Sequence, residues 1–182
     1  MKVSYSDVVS FWRCPYRWYL SRQLGLRSAA PRTAANFGTV FAEVSRRYYA
    51  NWPSRPTIDT ETLSHEYDLD VEMHYLLKAL WAEYVTWSER NERWDEIWPE
   101  VSLEVDLAPF GFPGDTFSCR LDMLARLGGE WYVRDLKTTS RVNVKKVDLD
   151  PQTQMAYPWA VEQKLGLDVY GGSIVFVRRQ DP

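Results

Sequence analysis

Apolar residues recur at helical spacing in the first half of the chain and at strand spacing in the second. Phe37, Val40, Phe41, Val44 and Tyr48 fall at i, i+3, i+4, i+7 and i+11, which predicts an amphipathic helix over 37–51, ended by "WPSRP". Ahead of it, Ser4 or Ser6 can cap a short helix "SDVVSFWRC" that Pro15 interrupts, and the aromatic-basic "YRWYLSRQLGL" runs to Gly25. "RSAAPRTAAN" reads as a loop. A longer helical stretch puts Leu69, Met73, Leu76, Leu80, Tyr84 and Trp87 on one face. After Pro99 the period becomes two: Val101, Leu103, Val105 and Leu107 alternate with Ser102, Glu104 and Asp106. "APFGFPGD" turns the chain, "TFSCRLDMLARL" forms a second strand, and Gly128-Gly129 returns it as a third, "EWYVRDLKT". Asp150-Pro151 then starts a helix to Gly166 that Pro158 kinks or splits, and "GGSIVFVRR" is the last strand. Helices, three strands, helix, strand predict an α/β protein with a small mixed central sheet.

The 182 residues suit a single domain, with 1–98 mainly helical and 99–182 holding the sheet. No apolar run approaches the ~18 residues that cross a membrane, and Met1-Lys2-Val3-Ser4 does not begin a signal peptide. Cys14 and Cys119 make no disulfide framework, so a reducing cytoplasm is expected. The net charge of −3 conceals a strong segregation. Residues 1–42 carry six basic side chains against Asp7, residues 57–106 carry fourteen acids against three bases, and residues 134–146 carry five bases against Asp135. Such a distribution suits a protein that grips a polyanion on one side; solvated surface charge accounts for it equally.

The stretch "EWYVRDLKTTS" narrows the chemistry. Asp135 and Lys137 share a strand face with Trp131 and Val133, the half that reads as buried, and unpaired buried charge is costly. Asp122 lies thirteen residues before Asp135, and the Gly128-Gly129 turn sets their strands side by side. Two carboxylates and the backbone carbonyl of Leu136, with a lysine alongside, are hard-oxygen donors suited to Mg²⁺ or Mn²⁺. A cation there would activate water and neutralise charge on a phosphate, with Lys137 beside the nucleophile. On Asp-x-Lys alone, a buried ion pair that fixes the hairpin is the stronger reading.

The wider pattern shifts that balance. "RLDMLARLGGEWYVRDLKT" resembles the catalytic hairpin of the PD-(D/E)XK nuclease superfamily, and more narrowly the chain is similar to its RecB-like branch of CRISPR-associated and phage exonucleases. "SYSDVVSFWRCPYRWYL", "FGTVFAEV", "VSLEVDL", "QMAYPWAVEQKLG" and "GGSIVFV" follow that branch's segments in order over nearly the whole chain. The resemblance implies a restriction-endonuclease-like αβββαβ core with an added N-terminal helical region. It also implies metal ligation by Asp122 and Asp135, a catalytic Lys137, and Gln154 and Tyr157 contacting DNA or steadying the site.

The chain departs from the branch in three places. Ala42 stands where the branch has a metal-binding histidine, with Glu43 next to it as a substitute ligand. Gln154 and Tyr157 are three residues apart rather than four. The cysteines that hold an iron–sulfur cluster in many relatives have no counterpart after the last strand, so no cluster is expected and Cys14 is read as a packing residue.

The expectation is a Mg²⁺- or Mn²⁺-dependent deoxyribonuclease, an exonuclease acting on DNA ends or single strands in recombination, repair or phage/CRISPR processing. Glu104 would sit in the outer shell of the site. Arg13, Arg17, Trp18 and Arg141 would hold phosphates and stack bases. A recombination or CRISPR-type protein is the expected partner, with no membrane association. The alternative is a nuclease-fold module that binds DNA or protein without turnover, with Ala42 as its signature.

Overall fold

The computed structural model describes residues 1–26, 33–139 and 150–178. A two-residue strand β1 (Lys2–Val3) leads into helices α1 (Tyr5–Arg13) and α2 (Pro15–Trp18), and a π-helical turn, Tyr19–Gln23, follows. Ser4 caps α1 through a reciprocal capping box with Asp7, and Pro15 opens α2 at a position where its missing N–H costs nothing. Helices α3 (Thr33–Tyr49), α4 (Thr60–Glu66) and α5 (Val71–Asn91) form one layer. The expected long helical stretch is α5, capped by Asp70, and the short α4 precedes it, the two separated at Asp68, whose φ is +51°. The buried stripe of α5 is Leu77, Trp81, Tyr84 and Ser88, rotated from the face expected through Leu76, Leu80 and Trp87. Trp81 takes the centre because Phe41 and Tyr48 meet its ring edge-on at 5.7 and 5.3 Å.

Strands β2 (Glu96–Asp106), β3 (Thr116–Leu127) and β4 (Glu130–Thr139) form an antiparallel meander. The chain then returns through a π-helical turn (Gln152–Ala156) and α6 (Tyr157–Leu165), so that β5 (Val169–Arg178) pairs parallel to β4. Pro158 neither breaks nor interrupts the helical run: the π-helical turn passes directly into α6, and Pro158 sits in the first turn of α6, where proline is tolerated. The five strands make one mixed sheet, with β1 added parallel to β3, a strand the apolar pattern did not reveal. Residues of α3, α4 and α5 cover one face around Phe41, Val44, Leu77 and Trp81, while Tyr157, Ala160 and Val161 of α6 cover the other with Leu121, Leu124 and Val133. A mixed sheet clothed by helices on both faces fits a restriction-endonuclease-like fold.

Two details of the sheet position the site. Along its length β2 occupies one edge of β3, so β1 and β4 share the other edge, β1 at residues 116–117 and β4 at 123–127. Among the described residues, no strand pairs with 118–122 on that side. The two buried faces also exchange partway along: Ile97 and Met123 belong to the α3–α5 core, Leu103 and Leu121 to the α6 core. Strict alternation would keep 97 with 103, and 121 with 123, on one face. The switch falls at Glu100, whose φ of +51° is a left-handed conformation.

Candidate active site

The β3–β4 ladder runs from Leu127↔Glu130 to Met123↔Arg134 and stops. Asp122 and Asp135 are the next residues on each strand, at the mouth of the opening. The backbone N–H of Leu136 donates at 2.7 Å to Asp122 Oδ2, so a side chain replaces the next ladder bond. In an extended strand the N–H and C=O of one residue point to the same neighbour, which directs the Leu136 carbonyl toward Asp122 as well.

Asp135 is 2 % exposed. Its Oδ1 accepts from Lys137 Nζ at 3.0 Å; Oδ2 lies 2.8 Å from the same nitrogen but accepts no hydrogen bond. Burial, reinforced by the charges of Asp122 and Asp150 against the pull of Lys137, pushes the Asp135 carboxyl up to about 6. Burial would lower the Lys137 ammonium, but Asp135, with Asp122 and Asp150, holds it above its ordinary range. Three carboxylates therefore act on one half-exposed lysine. Asp150 was legible only as a helix cap. It performs that role, accepting from Thr153 N at 3.2 Å and Thr153 Oγ1 at 2.6 Å, and its charge also reaches the site.

Tyr157 is 5 % exposed, so it is a core residue as well as a neighbour of the site. Burial, then the charges of Asp135 and Asp122, raise its phenol pKa. Its hydroxyl accepts from Gln152 Nε2. A π-helical turn stacks i on i+5, and the turn Gln152–Ala156 aligns Gln152 with Tyr157. Gln154, which is exposed, donates its amide at 3.1 Å to the Gly172 carbonyl, and Gln152 is the glutamine that bonds the tyrosine. Gly172 permits this arrangement, since a Cβ there would lie 2.3 Å from the Thr153 carbonyl oxygen.

On the α3 side, Gly38 lets the helix approach β4; a Cβ there would stand 3.2 Å from Thr138 Oγ1. Just over one turn later, Ala42 lines a crevice with Ser45, Glu100, Asp122 and Leu136. Its volume, about 10 Å³, is close to the room one water or small ion takes. Glu43 does not line it. Arg46 grips Glu43 at 2.7 and 2.6 Å and Arg47 joins at 2.6 Å, which draws its carboxyl down to about 2.

A groove of about 370 Å³ runs beside the unpaired stretch of β3, from Lys2 and Glu104 past Ser4, Ser118 and Arg120 to Gln152 and Tyr157. Glu104 is exposed and ion-paired with Lys2. Arg13 and Arg17 are exposed on the N-terminal helices, whereas Trp18 is half-buried with Phe11 edge-on at 5.5 Å. Trp12, 86 % exposed, is the most open ring on these helices, ahead of Tyr16. Cys14, expected to pack, is exposed, and its sulfur instead accepts from Arg17 N at 3.4 Å at the start of α2. Arg141 lies outside the described residues.

Among the described residues no group of three or more His, Cys, Asp or Glu side chains is arranged to hold a metal ion. What the opening offers is the carboxylates of Asp122 and Asp135, one oxygen of the latter accepting no hydrogen bond, and the Leu136 carbonyl. That oxygen-only donor set fits a hard divalent cation. No helix among the described residues is long and apolar enough to cross a membrane. The sequence profile of the PD-(D/E)XK nuclease superfamily matches residues 2–182. No curated protein matched the chain.

Proposed function

Because the chain belongs to the PD-(D/E)XK nuclease superfamily, whose membership points to hydrolysis of phosphodiester bonds in DNA, we propose that it is a divalent-metal-dependent exonuclease acting on DNA ends or single strands. Its role would lie in recombination, repair or phage/CRISPR processing. The observation that carries this reading is the buried Asp135, held near pH 6 beside Asp122 and Lys137 where two strands part. Asp122, Asp135 and the Leu136 carbonyl would hold Mg²⁺ or Mn²⁺. When bound, the cation supplies charge neutralisation at the phosphate and a lowered pKa for water.

The chain's own residues do the rest. Lys137, kept protonated by the surrounding acids, is a donor rather than a base: its ammonium hydrogen-bonds a phosphate oxygen and stabilises the charge that develops there. Asp122 anchors the Leu136 backbone and so fixes the line along which Asp135 and Lys137 face the substrate. The Gln152–Tyr157 pair forms the wall of the groove nearest the site. A single strand fits that groove, with Arg120 and Lys2 along its phosphates and exposed Arg13, Arg17 and Trp12 further out.

Incubating single-stranded DNA with the protein and Mn²⁺ tests the reading: wild type shortens the strand, and Asp135→Ala and Lys137→Ala do not. The second reading, a binding module without turnover, is favoured by Ala42, which gives the crevice no ligand. It gains if neither wild type nor variants cut DNA yet all bind it with an affinity that falls as salt rises.

A further inference from the structure

We propose that Tyr5, the first residue of α1, binds the substrate strand, its phenol O–H donating to a phosphate oxygen of the nucleotide beside the scissile linkage. The inference rests on the reading of the groove as the path of a DNA single strand, given above. Ser4, Tyr5 and Ser6 all line that groove, together with Gln152 and Tyr157. Two of the three are already occupied: the Ser4 and Ser6 hydroxyls meet at 2.9 Å, and Ser4 Oγ donates at 2.7 Å to Asp7. The Tyr5 hydroxyl has no hydrogen-bond partner among the described residues. Tyr157, by contrast, is engaged by Gln152. Tyr5 is therefore the tyrosine of the groove whose O–H is left for a ligand.

Two charges locate the phenol. Asp150, whose charge also reaches Asp135 and Lys137, acts on Tyr5, and so does Arg13 from the end of α1. Tyr5 thus stands between the acids of the site and the basic N-terminal helices. Burial and Asp150 outweigh Arg13 and hold the phenol above its ordinary range, so it keeps its proton and can donate it. A neutral donor suits this location. A lysine or arginine here would be drawn into an ion pair with Asp150, whereas a phenol hydrogen-bonds a phosphate without carrying a charge for the acids to neutralise. Arg120, exposed and without an ion pair among the described residues, supplies the positive charge elsewhere in the same groove.

The test compares wild type, Tyr5→Phe, Arg120→Ala and Tyr75→Phe, the last an exposed tyrosine of α5 outside the groove. Binding of a labelled DNA single strand is followed by fluorescence anisotropy in EDTA, and kcat and KM are measured with Mn²⁺. Tyr5→Phe is expected to bind the strand about tenfold more weakly, the effect of losing one hydrogen bond to a charged group. KM should rise by a similar factor with kcat unchanged, because the contact is made equally before and during the reaction. Its melting temperature should match wild type, since the hydroxyl bonds nothing in the free protein, and Tyr75→Phe should match wild type throughout. If Tyr5→Phe binds and cuts as wild type does while Arg120→Ala binds more weakly, the role of Tyr5 is overturned and the groove stands. A Tyr5→Phe protein that melts several degrees lower also overturns it, by making the hydroxyl structural. If wild type binds the strand in a Tyr5-dependent manner yet never cuts it, the nuclease reading falls and the Tyr5 contact stands. If wild type binds no single strand, both fall together.

Discussion

Strand β4 carries two consecutive buried charges, Arg134 and Asp135, 4 % and 2 % exposed, that face opposite layers. Arg134 enters the α3–α5 side and ion-pairs with Glu92, itself 2 % exposed. Its guanidinium lies over the rings of Trp87 and Trp94 at 5.4 and 5.6 Å. Glu92 in turn accepts from Tyr49 and, at 2.5 Å, from Ser88, and Tyr49 meets Tyr84 at 3.0 Å. One cation meets one anion, with hydrogen-bond donors filling the second carboxylate oxygen. Asp135 has the opposite arrangement: more acid than base around it, a partner lysine that is half-exposed and a carboxyl raised to about 6. A buried charge that is matched holds a fold together, and one left over-acidic at an opening is suited to receive a cation.

The largest effect that sharpens this contrast is on the matched side. Glu92→Ala leaves Arg134 buried without an anion and is expected to cost about 3–5 kcal/mol in urea unfolding. The double variant Glu92→Ala/Arg134→Leu recovers part of that loss, because no orphan charge remains. On the other side, Lys137→Ala is expected to lower the rate of DNA cleavage about 10²–10³-fold. Its melting temperature at pH 5, where Asp135 is protonated, stays close to wild type.

The third prediction concerns pH. The Asp135 carboxyl binds its proton more tightly folded, near 6, than its ordinary 3.8. Its contribution to stability is therefore complete below about pH 4 and lost as pH rises through about 6. Asp135→Asn cannot ionise, so without metal it should exceed wild type by ~1–2 kcal/mol at pH 7 and lose that advantage by pH 4. A variant that is less stable at both pH values would assign Asp135 to the structural class of Arg134. The smallest effect belongs to Asp150→Asn, which keeps the cap on Thr153 but removes one negative charge. The pH midpoint of the Asp135 effect should move down by less than about one unit.

The order of strands and helices was legible because the apolar period changes from 3.6 to 2 near Pro99 and because Gly128-Gly129 marks the hairpin. Asp135 and Lys137 stand out in sequence for a physical reason, since charges on the face of a strand that otherwise buries Trp131 and Val133 conflict with packing, whereas Asp122 stands out only through the hairpin that sets its strand beside theirs. Other features left no periodic trace. Strand β1 is two residues long, too short for any pattern. The π-helical turn changes which glutamine meets Tyr157, and helical spacing counted at 3.6 residues per turn cannot anticipate an i, i+5 pair. Glu100 reads in sequence as one more acid in an acidic stretch, and its place at the exchange of buried faces comes from a positive φ and a strand register that only coordinates contain. Glu43 stands at i, i+3 and i, i+4 from Arg46 and Arg47, a spacing that on the expected helix already signals the ion pairs that hold it.

The central claim is that Asp122 and Asp135 share one divalent cation. A crystal soaked in Mn²⁺ and measured at the manganese absorption edge tests it directly. The account predicts an anomalous peak within about 2.0–2.4 Å of an oxygen from each carboxylate and of the Leu136 carbonyl. It is contradicted if the saturated crystal shows no peak there while Asp122 still accepts from Leu136 N and Asp135 remains closed on Lys137.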